Sequence, residues 1–433
     1  MSHFGVVAPA FYSHSQAFQA LAVELLDRGH QVTFFQQADA RRWLGDPRIS
    51  FHALGADSHP PGSLDASLQR AASSNNPLTL RRVIADMCAS TDMLCKELPA
   101  ALVNRQVDAM LCDQMEAAGA MVAEALGLPY VSVACALPVN REPGLPLPVM
   151  PFAYGGDERS LRMYAGSQRV YDWLMRPLTN VLRAASRRLV IEPRDALHEC
   201  LSPFAQISQT LEGFDFPRTL HPAHFHAVGP LRSVLSNSVG QPLPAAGPVE
   251  WPIDKDRPFV FASLGTLQGG RLAMFRQIAK ACRRLDAQLL IAHCGGLDST
   301  QERTLVADGA SWVTAFAPQQ RVLAQADVVV THGGLNTVMD AIATTTPMLV
   351  MPIGFDQPGV AARVSYRGLG VQLNRRASAA AIADALARLL ALPREPLHQL
   401  AAELQHAGGT RKAADIVEAV ARSGEPVLTQ AVA

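Results

Sequence analysis

The sequence predicts two α/β domains in tandem, each built on a parallel sheet. Three observations lead there. Short β-branched runs alternate with helical stretches along nearly the whole chain. The length of 433 residues suits two domains of about 150–220 residues better than one. A stretch rich in Ser, Gly and Pro and poor in periodicity, SNSVGQPLPAAGPVEWP, separates the two series. The first domain is therefore expected over 1–235, a linker over 236–252 and the second domain over 253–433. With 48% apolar and 18% charged residues, each half can bury its own core.

In the first half, strands are expected near Phe4–Ala8, Gln31–Phe35, Ile49–Leu54, Val107–Cys112, Tyr130–Ala134, Phe204–Gln209 and Phe225–Val228. In the second half they are expected near Pro258–Ser263, Gln288–His293, Trp312–Ala315, Val328–Thr331 and Met348–Pro352. The chain from Ala379 onward is Ala/Leu-rich and reads as helical. Two such domains place a cleft between the carboxyl ends of their sheets, where ligands of open α/β sheets bind. The Pro-rich stretch Leu137–Tyr154 reads as a long loop and a candidate wall of that cleft.

Several function classes are excluded at this level. Lys+Arg and Asp+Glu are both 38, so there is no basic excess to hold a nucleic acid. No stretch approaches the ~18 apolar residues of a membrane span, and MSHFGVVAPAFYSHSQ lacks the pattern of a signal peptide. A cytoplasmic protein is expected, with contact at the inner membrane face left open. The seven cysteines are scattered without a C-x-x-C pair and read as reduced core thiols.

The first candidate site lies after the first strand. Phe18, Leu21, Ala22, Leu25 and Leu26 predict a helix from about Ser15 to Arg28, closed by Gly29. His14 then stands in the preceding loop, beside a helix N-terminus whose partial positive charge disfavours imidazolium. Asp113 follows the strand Val107–Cys112 at the same sheet edge, and could either fix the tautomer of His14 or cap the next helix. Sequence alone does not bring the two together.

The second candidate site is FAPQQRVLAQADVVVTHGGLNTVMDAIATTTPMLVMPIGFDQ, residues 316–357. The expected strand Val328–Thr331 runs into His332-Gly333-Gly334 and then a helix. Glycines admit close backbone approach, and the free N–H groups of a helix's first turn suit a diphosphate. His332 and Thr337 could add contacts to it, and Asp340, one turn beyond Asn336, could accept from ribose hydroxyls. Asp356 and Gln357 follow the next strand and suit a sugar, while Ser263, Gly265 and Thr266 form a second candidate phosphate loop.

This ordered set resembles the donor-binding signature of the UDP-dependent glycosyltransferases, a family that includes plant secondary-product, macrolide and glucuronosyl transferases. The resemblance extends over nearly the whole chain and implies the two-domain GT-B fold. It further implies that Phe316 replaces the aromatic (usually Trp) that stacks on uracil, followed by Ala317, Pro318 and Gln319. His332 and Thr337 then match diphosphate contacts, Asp340 the ribose carboxylate, and Asp356 and Gln357 the hexose contacts. His14 falls at the catalytic base and Asp113 at its partner. Ser13 and Ala17 depart from the Gly and Pro common around that base.

The implied reaction is inverting transfer of glucose from UDP-glucose to a hydroxyl of a lipophilic acceptor, with no cofactor and no metal. Similarity to carotenoid-pathway members of the family implies zeaxanthin, which offers a ring hydroxyl at each end. Met163, Tyr164, Tyr171, Trp173 and Met175 would wall its channel or pack in a core. A non-catalytic binding relative and a sugar-nucleotide epimerase are the rival readings; retention of both His14 and Asp113 argues against the first.

Other signals read as structural. Asp254-Lys255-Asp256 closes the linker, where charged turn residues need no metal. His221, His224 and His226 are joined by no Cys, Asp or further His and read as structural or surface residues. Gly265–Gly270 lacks a P-loop's Lys-Ser/Thr. Arg41-Arg42 and Arg187-Arg188 read as solvated helix faces.

Overall fold

The computed structural model describes residues 1–73, 77–232 and 251–429. Most of the expected linker, 236–250, lies outside the described residues. The first lobe holds β1 (His3–Val7), β2 (Gln31–Gln37), β3 (Ser50–Leu54), β4 (Ala109–Asp113), β5 (Tyr130–Ala134), β6 (Ala205–Ser208) and β7 (Phe225–Ala227). The second holds β8 (Phe259–Ser263), β9 (Gln288–Ala292), β10 (Trp312–Thr314), β11 (Val328–Thr331), β12 (Met348–Val350) and β13 (Gly370–Gln372). Every strand pairing is parallel, in the orders β3-β2-β1-β4-β5-β6-β7 and β10-β9-β8-β11-β12-β13. Parallel sheets must be covered on both faces, which is why β4, β5, β8, β9 and β11 are buried at every residue.

The strand expectations all correspond to strands; Tyr130–Ala134 and Val328–Thr331 match at both ends, Gln31–Phe35 runs two residues further, and the others differ by one or two residues at an end. β13 was not anticipated: its three residues, Gly-Val-Gln, are too short to show a period. The helix after β1 spans Tyr12–Asp27, three residues earlier than expected, because the Phe11 carbonyl already accepts from the Ser15 N–H at 3.0 Å. His14 therefore sits in the first helical turn, not in the loop before it.

The end of the chain corrects the expected second domain, 253–433. The helix Gly409–Ser423 leaves that lobe and buries Ala413, Ala414, Ile416, Val417 and Val420 in the first, against the Tyr12–Asp27 helix and the strands β5 and β6. Arg28 fixes it by reaching Asp415 at 2.7 Å and Glu418 at 2.9 Å, and His30 reaches Glu418 at 2.8 Å. Its apolar stripe matched a surface on the other lobe, which sequence order cannot reveal.

The lobes also meet through a buried ionic cluster. Arg363, fully buried on the second-lobe helix Gln357–Tyr366, donates to Asp215 of the first lobe at 2.5 Å and lies 4.3 Å from the centre of the Phe216 ring. Arg218 donates to the other oxygen of Asp215 at 2.7 Å, and Arg367 donates to its carbonyl. Burial alone would raise the Asp215 carboxyl, but the two guanidinium groups overcome it and hold the pKa at about 2. Removing one member leaves buried charge uncompensated, so Arg363→Met is expected to cost about 3 kcal/mol of stability, read as a lowered thermal midpoint. Because the folded-state pKa of Asp215 is depressed, the wild-type advantage should hold above the ordinary carboxylate range and fade as pH falls toward 2.

Candidate active site

Between the lobes lies a cavity of about 1820 Å³ that both sheets face with their carboxyl ends. All the expected site residues line it except Asp113, Ala317 and Gly333, which are buried just behind its surface. The Pro-rich stretch has no regular structure and contributes Leu137, Val139, Leu145 and Leu147 to the wall. Tyr164, Tyr171, Trp173 and Met175 line it too; Met163 does not, because it points to the opposite side of its helix.

His14 and Asp113 come together. Nδ1 of His14 lies 2.6 Å from Oδ2 of Asp113, whose side chain is fully buried at the end of β4. The pairing of β1 with β4 makes this possible by setting the two carboxyl ends side by side. Oδ1 of Asp113 accepts from the Met115 N–H at 2.8 Å, so the carboxylate serves as a turn cap and a histidine partner at once. The next helix is capped by Glu116 instead. With Nδ1 engaged, Nε2 is the nitrogen left for a ligand.

The helix N-terminus was expected to favour neutral imidazole, and the net effect is the reverse. Burial pulls the His14 pKa down most strongly, but the charge and hydrogen bond of Asp113, with a contribution from Asp356 across the cleft, carry it above the ordinary value. Asp356 itself is pushed up by burial and accepts from the Leu137 N–H at 3.1 Å, so it touches the first lobe directly.

The second-lobe loop is shaped around His332. A Cβ on Gly265 (φ +74°) or on Gly334 would come within 2.7 Å of the His332 ring, so the imidazole fits only between two glycines. Burial pushes the His332 pKa down to about 4, so it is neutral at physiological pH. Gly334 starts the helix Leu335–Ala343, whose first N–H groups face the cavity without side-chain caps. Phe316 presents a half-exposed ring beside Gly295. Ser263 is buried and Thr266 exposed at their loop.

Several expected ligand groups already hold partners within the protein. Asp340 receives Arg232 at 3.1 Å, Gln320 at 3.0 Å and Gln319 at 2.7 Å, which occupies both of its oxygens. Gln357 spends its amide oxygen on the N–H groups of Ile353 and Gly354, leaving its NH₂ for a ligand. Thr337 donates to Gln319 at 3.3 Å.

Sequence reasoning missed Arg232, Cys135, Phe11 and Phe355. Arg232 precedes the linker and reaches Asn336 at 3.1 Å as well as Asp340, which no periodicity foretells. The Cys135 sulfur lies within 4.8 Å of the Asp113 carboxylate and the His14 ring, and burial first, then that carboxylate, holds its thiol far above the ordinary range. Phe355, in left-handed backbone at φ +56°, meets Phe11 edge to face at 6.3 Å across the cleft. The residues set aside hold no ligand geometry. Asp254 accepts from the Asp256 N–H, His221 stacks on Phe225 at 3.9 Å, and His226 bonds to the Val427 carbonyl at 2.9 Å.

Comparison with known proteins agrees with this arrangement. Residues 190–400 match the family described as UDP-glucoronosyl and UDP-glucosyl transferase. Over 431 residues the chain is 48% identical to a zeaxanthin glucosyltransferase of Pantoea ananas, covering 99% of this chain and 98% of that protein. The chain belongs to the UDP-dependent glycosyltransferase family. A second similar member, a zeaxanthin glucosyltransferase of Pseudescherichia vulneris, is 46% identical, covering 99% of this chain and all of that protein. Among solved structures of glycosyltransferases, the calicheamicin enzyme CalG4 superposes with a TM-score of 0.71 at 20% identity, covering 98% of this chain and 99% of that one. The glycosyltransferase of kitacinnamycin gives 0.72 at 21%, with 96% and 98% covered. The lobes are thus those of the GT-B fold.

The pairing at His14 can be tested without any ligand. In Asp113→Asn the charge that raises His14 is gone while burial remains, so its pKa should drop below the ordinary histidine value. An NMR titration of the ring would show this; a value unchanged from wild type would mean that Asp113 is not the cause.

Proposed function

We propose that this glycosyltransferase moves glucose from UDP-glucose to the ring hydroxyls of zeaxanthin, with inversion at the anomeric carbon. The carrying observation is the 2.6 Å contact of His14 with Asp113, set in the cleft opposite the His332-Gly333-Gly334 turn. Full-length similarity to two zeaxanthin glucosyltransferases supports the acceptor and the sugar. The cavity, about 1820 Å³, exceeds the 300–1,000 Å³ usual for one small ligand and so leaves room for a nucleotide sugar and a long apolar acceptor together.

In this reading the second lobe holds the donor. Phe316 stacks on uracil beside Ala317 and Gln319, and Asp340 exchanges one or more of its internal donors for ribose hydroxyls. The N–H groups at the start of Leu335–Ala343, with Ser263, Gly265, Thr266, His332 and Thr337, surround the diphosphate. Neutral His332 can donate a hydrogen bond there without a charge that would bind the leaving group permanently. Asp356 and Gln357 hold the hexose. Charge growing on the departing UDP is met by that helix end, so the reading needs no metal.

His14 does the proton work. Its Nε2 takes the proton of the acceptor hydroxyl as the oxygen forms its bond to the anomeric carbon. The bond from that carbon to the diphosphate oxygen breaks on the opposite face, and UDP leaves. Attack from the far side turns the α-linked donor into a β-glucoside. Asp113 steadies the imidazolium through Nδ1–H, as a buried carboxylate does for a histidine base. A second round at the other ring would give the diglucoside.

Product analysis with UDP-glucose and zeaxanthin tests the whole reading. β-Glucosides plus UDP are expected; an epimerised nucleotide sugar or no turnover would sink it. His14→Ala should lower kcat by about 10²–10⁴ while UDP binding, measured by calorimetry, stays near wild type. Since the base must be neutral and its pKa is raised, kcat/KM should fall with acidification through a value above the ordinary 6.5. Glu116, a buried cavity-wall carboxyl raised to about 7, titrates nearby. The control is Glu116→Gln, in which the acid limb should persist, against Asp113→Asn, in which it should move down.

A further inference from the structure

The helix Glu158–Leu174 is a single-layer wall: its inner face lines the cavity through Leu161, Tyr164, Gln168 and Tyr171, and its outer face has no protein against it. Only Tyr164 of its residues is buried. Turned away from Tyr164 at helical spacing and absent from the cavity wall are Arg159, Arg162, Met163 and Val170, with Arg169 and Trp173 at the edge where the helix also meets the cavity. Three are apolar yet open to solvent, Met163 at 41%, Val170 at 57% and Trp173 at 52%. The mix of large apolar and arginine side chains on one face is that of a helix lying in a bilayer interface, with aromatic and aliphatic groups entering the headgroup region and guanidinium groups on lipid phosphates.

Charge agrees with that occupant. Residues 158–189, this helix and the next (Arg176–Leu189), hold seven arginines against Glu158 and Asp172, an excess of five on a chain whose net charge is zero. Arg162 pairs with Glu158 and Arg183 with Asp195, both in the open, where such pairs are weak. Arg159, Arg169, Arg176 and Arg187 have no acidic partner among the described residues. A second copy of the chain would bring the same positive face and be repelled; an anionic lipid surface would be drawn in. No helix among the described residues is long and apolar enough to cross a membrane, so the contact would be peripheral.

We propose that the outer face of Glu158–Leu174 docks on an anionic phospholipid bilayer and sets the cavity mouth, where Trp173, Met175 and Arg176 also line the cavity, against the lipid from which a lipophilic acceptor enters. The entry role rests on the proposed function; the docking does not. The test is sedimentation of the full chain with vesicles of phosphatidylcholine alone or with 30% phosphatidylglycerol. Binding to the anionic vesicles is expected, falling with added salt, with weak or no binding to the neutral ones. Arg159→Glu with Arg162→Glu should weaken it about tenfold or more, and Met163→Ser with Val170→Ser should weaken it at low and high salt alike.

None of these four side chains lines the cavity. Transfer to a small water-soluble acceptor should therefore be unchanged in both variants, while transfer to vesicle-embedded zeaxanthin falls with binding. No binding of the wild type to anionic vesicles, equal binding by the charge-reversed variant, or self-association that the substitutions abolish would each overturn the docking. Binding without any glycoside formed would leave the docking standing and remove the acceptor-entry role.

Discussion

Asp215 and Arg363 fix where one lobe stands relative to the other, and the cleft inherits that setting. Arg363 lies on the helix that begins at Gln357, directly after Asp356. Pinning this helix to Asp215 brings Asp356 against the Leu137 N–H and into the field of His14. A residue from the second lobe thereby influences the ionisation of one in the first. A buried ion pair is a poor source of stability when compared with apolar packing, but its directional bonds hold position. Position is what a site shared by two lobes needs.

Much of this was legible in the sequence because parallel sheets write themselves plainly. Buried strands such as VVVT of β11 and FVFAS of β8 are runs of β-branched and aromatic residues that open after Asp327 or Pro258 and close on Thr or Ser. The turn His332-Gly333-Gly334 could be read because glycines at a strand-to-helix junction have a mechanical meaning; in the structure Gly334, with Gly265, makes room for the His332 ring. The less legible features depend on partners far along the chain. Asp340 reads as a free acceptor until Arg232, 108 residues earlier, is seen to occupy it. The raised pKa of His14 follows from two carboxylates, 99 and 342 positions away, outweighing a local helix end whose sign alone was readable. Tyr12–His14 lack an Asp, Asn or Thr at the observed cap position, where Phe11 stands, so the helix start was misplaced for want of a side-chain signal.

Both lobes treat their histidines as opposites. His332 is buried with no charged group to offset the burial and loses basicity; His14 is buried beside carboxylates and gains it. Similar burial with different neighbours yields an imidazole that is neutral at physiological pH on one side of the cleft and one of raised basicity on the other. Asp113 is held before any ligand arrives by His14 on one oxygen and the Met115 N–H on the other, with the Cys135 sulfur within 4.8 Å.

The return of Gly409–Ser423 to the first lobe changes how the molecule can be taken apart. In topology the second lobe is an insertion, entered after Arg232 and left near Gly408, and the two crossings are tied where Thr410 accepts from the Arg232 N–H and donates to its carbonyl, both at 2.8 Å. A chimera that joins a foreign nucleotide lobe end-to-end after the first would strip the Tyr12–Asp27 helix and the strands β5 and β6 of a covering surface. Cassette exchange in this scaffold has to cut twice and keep the final helix native.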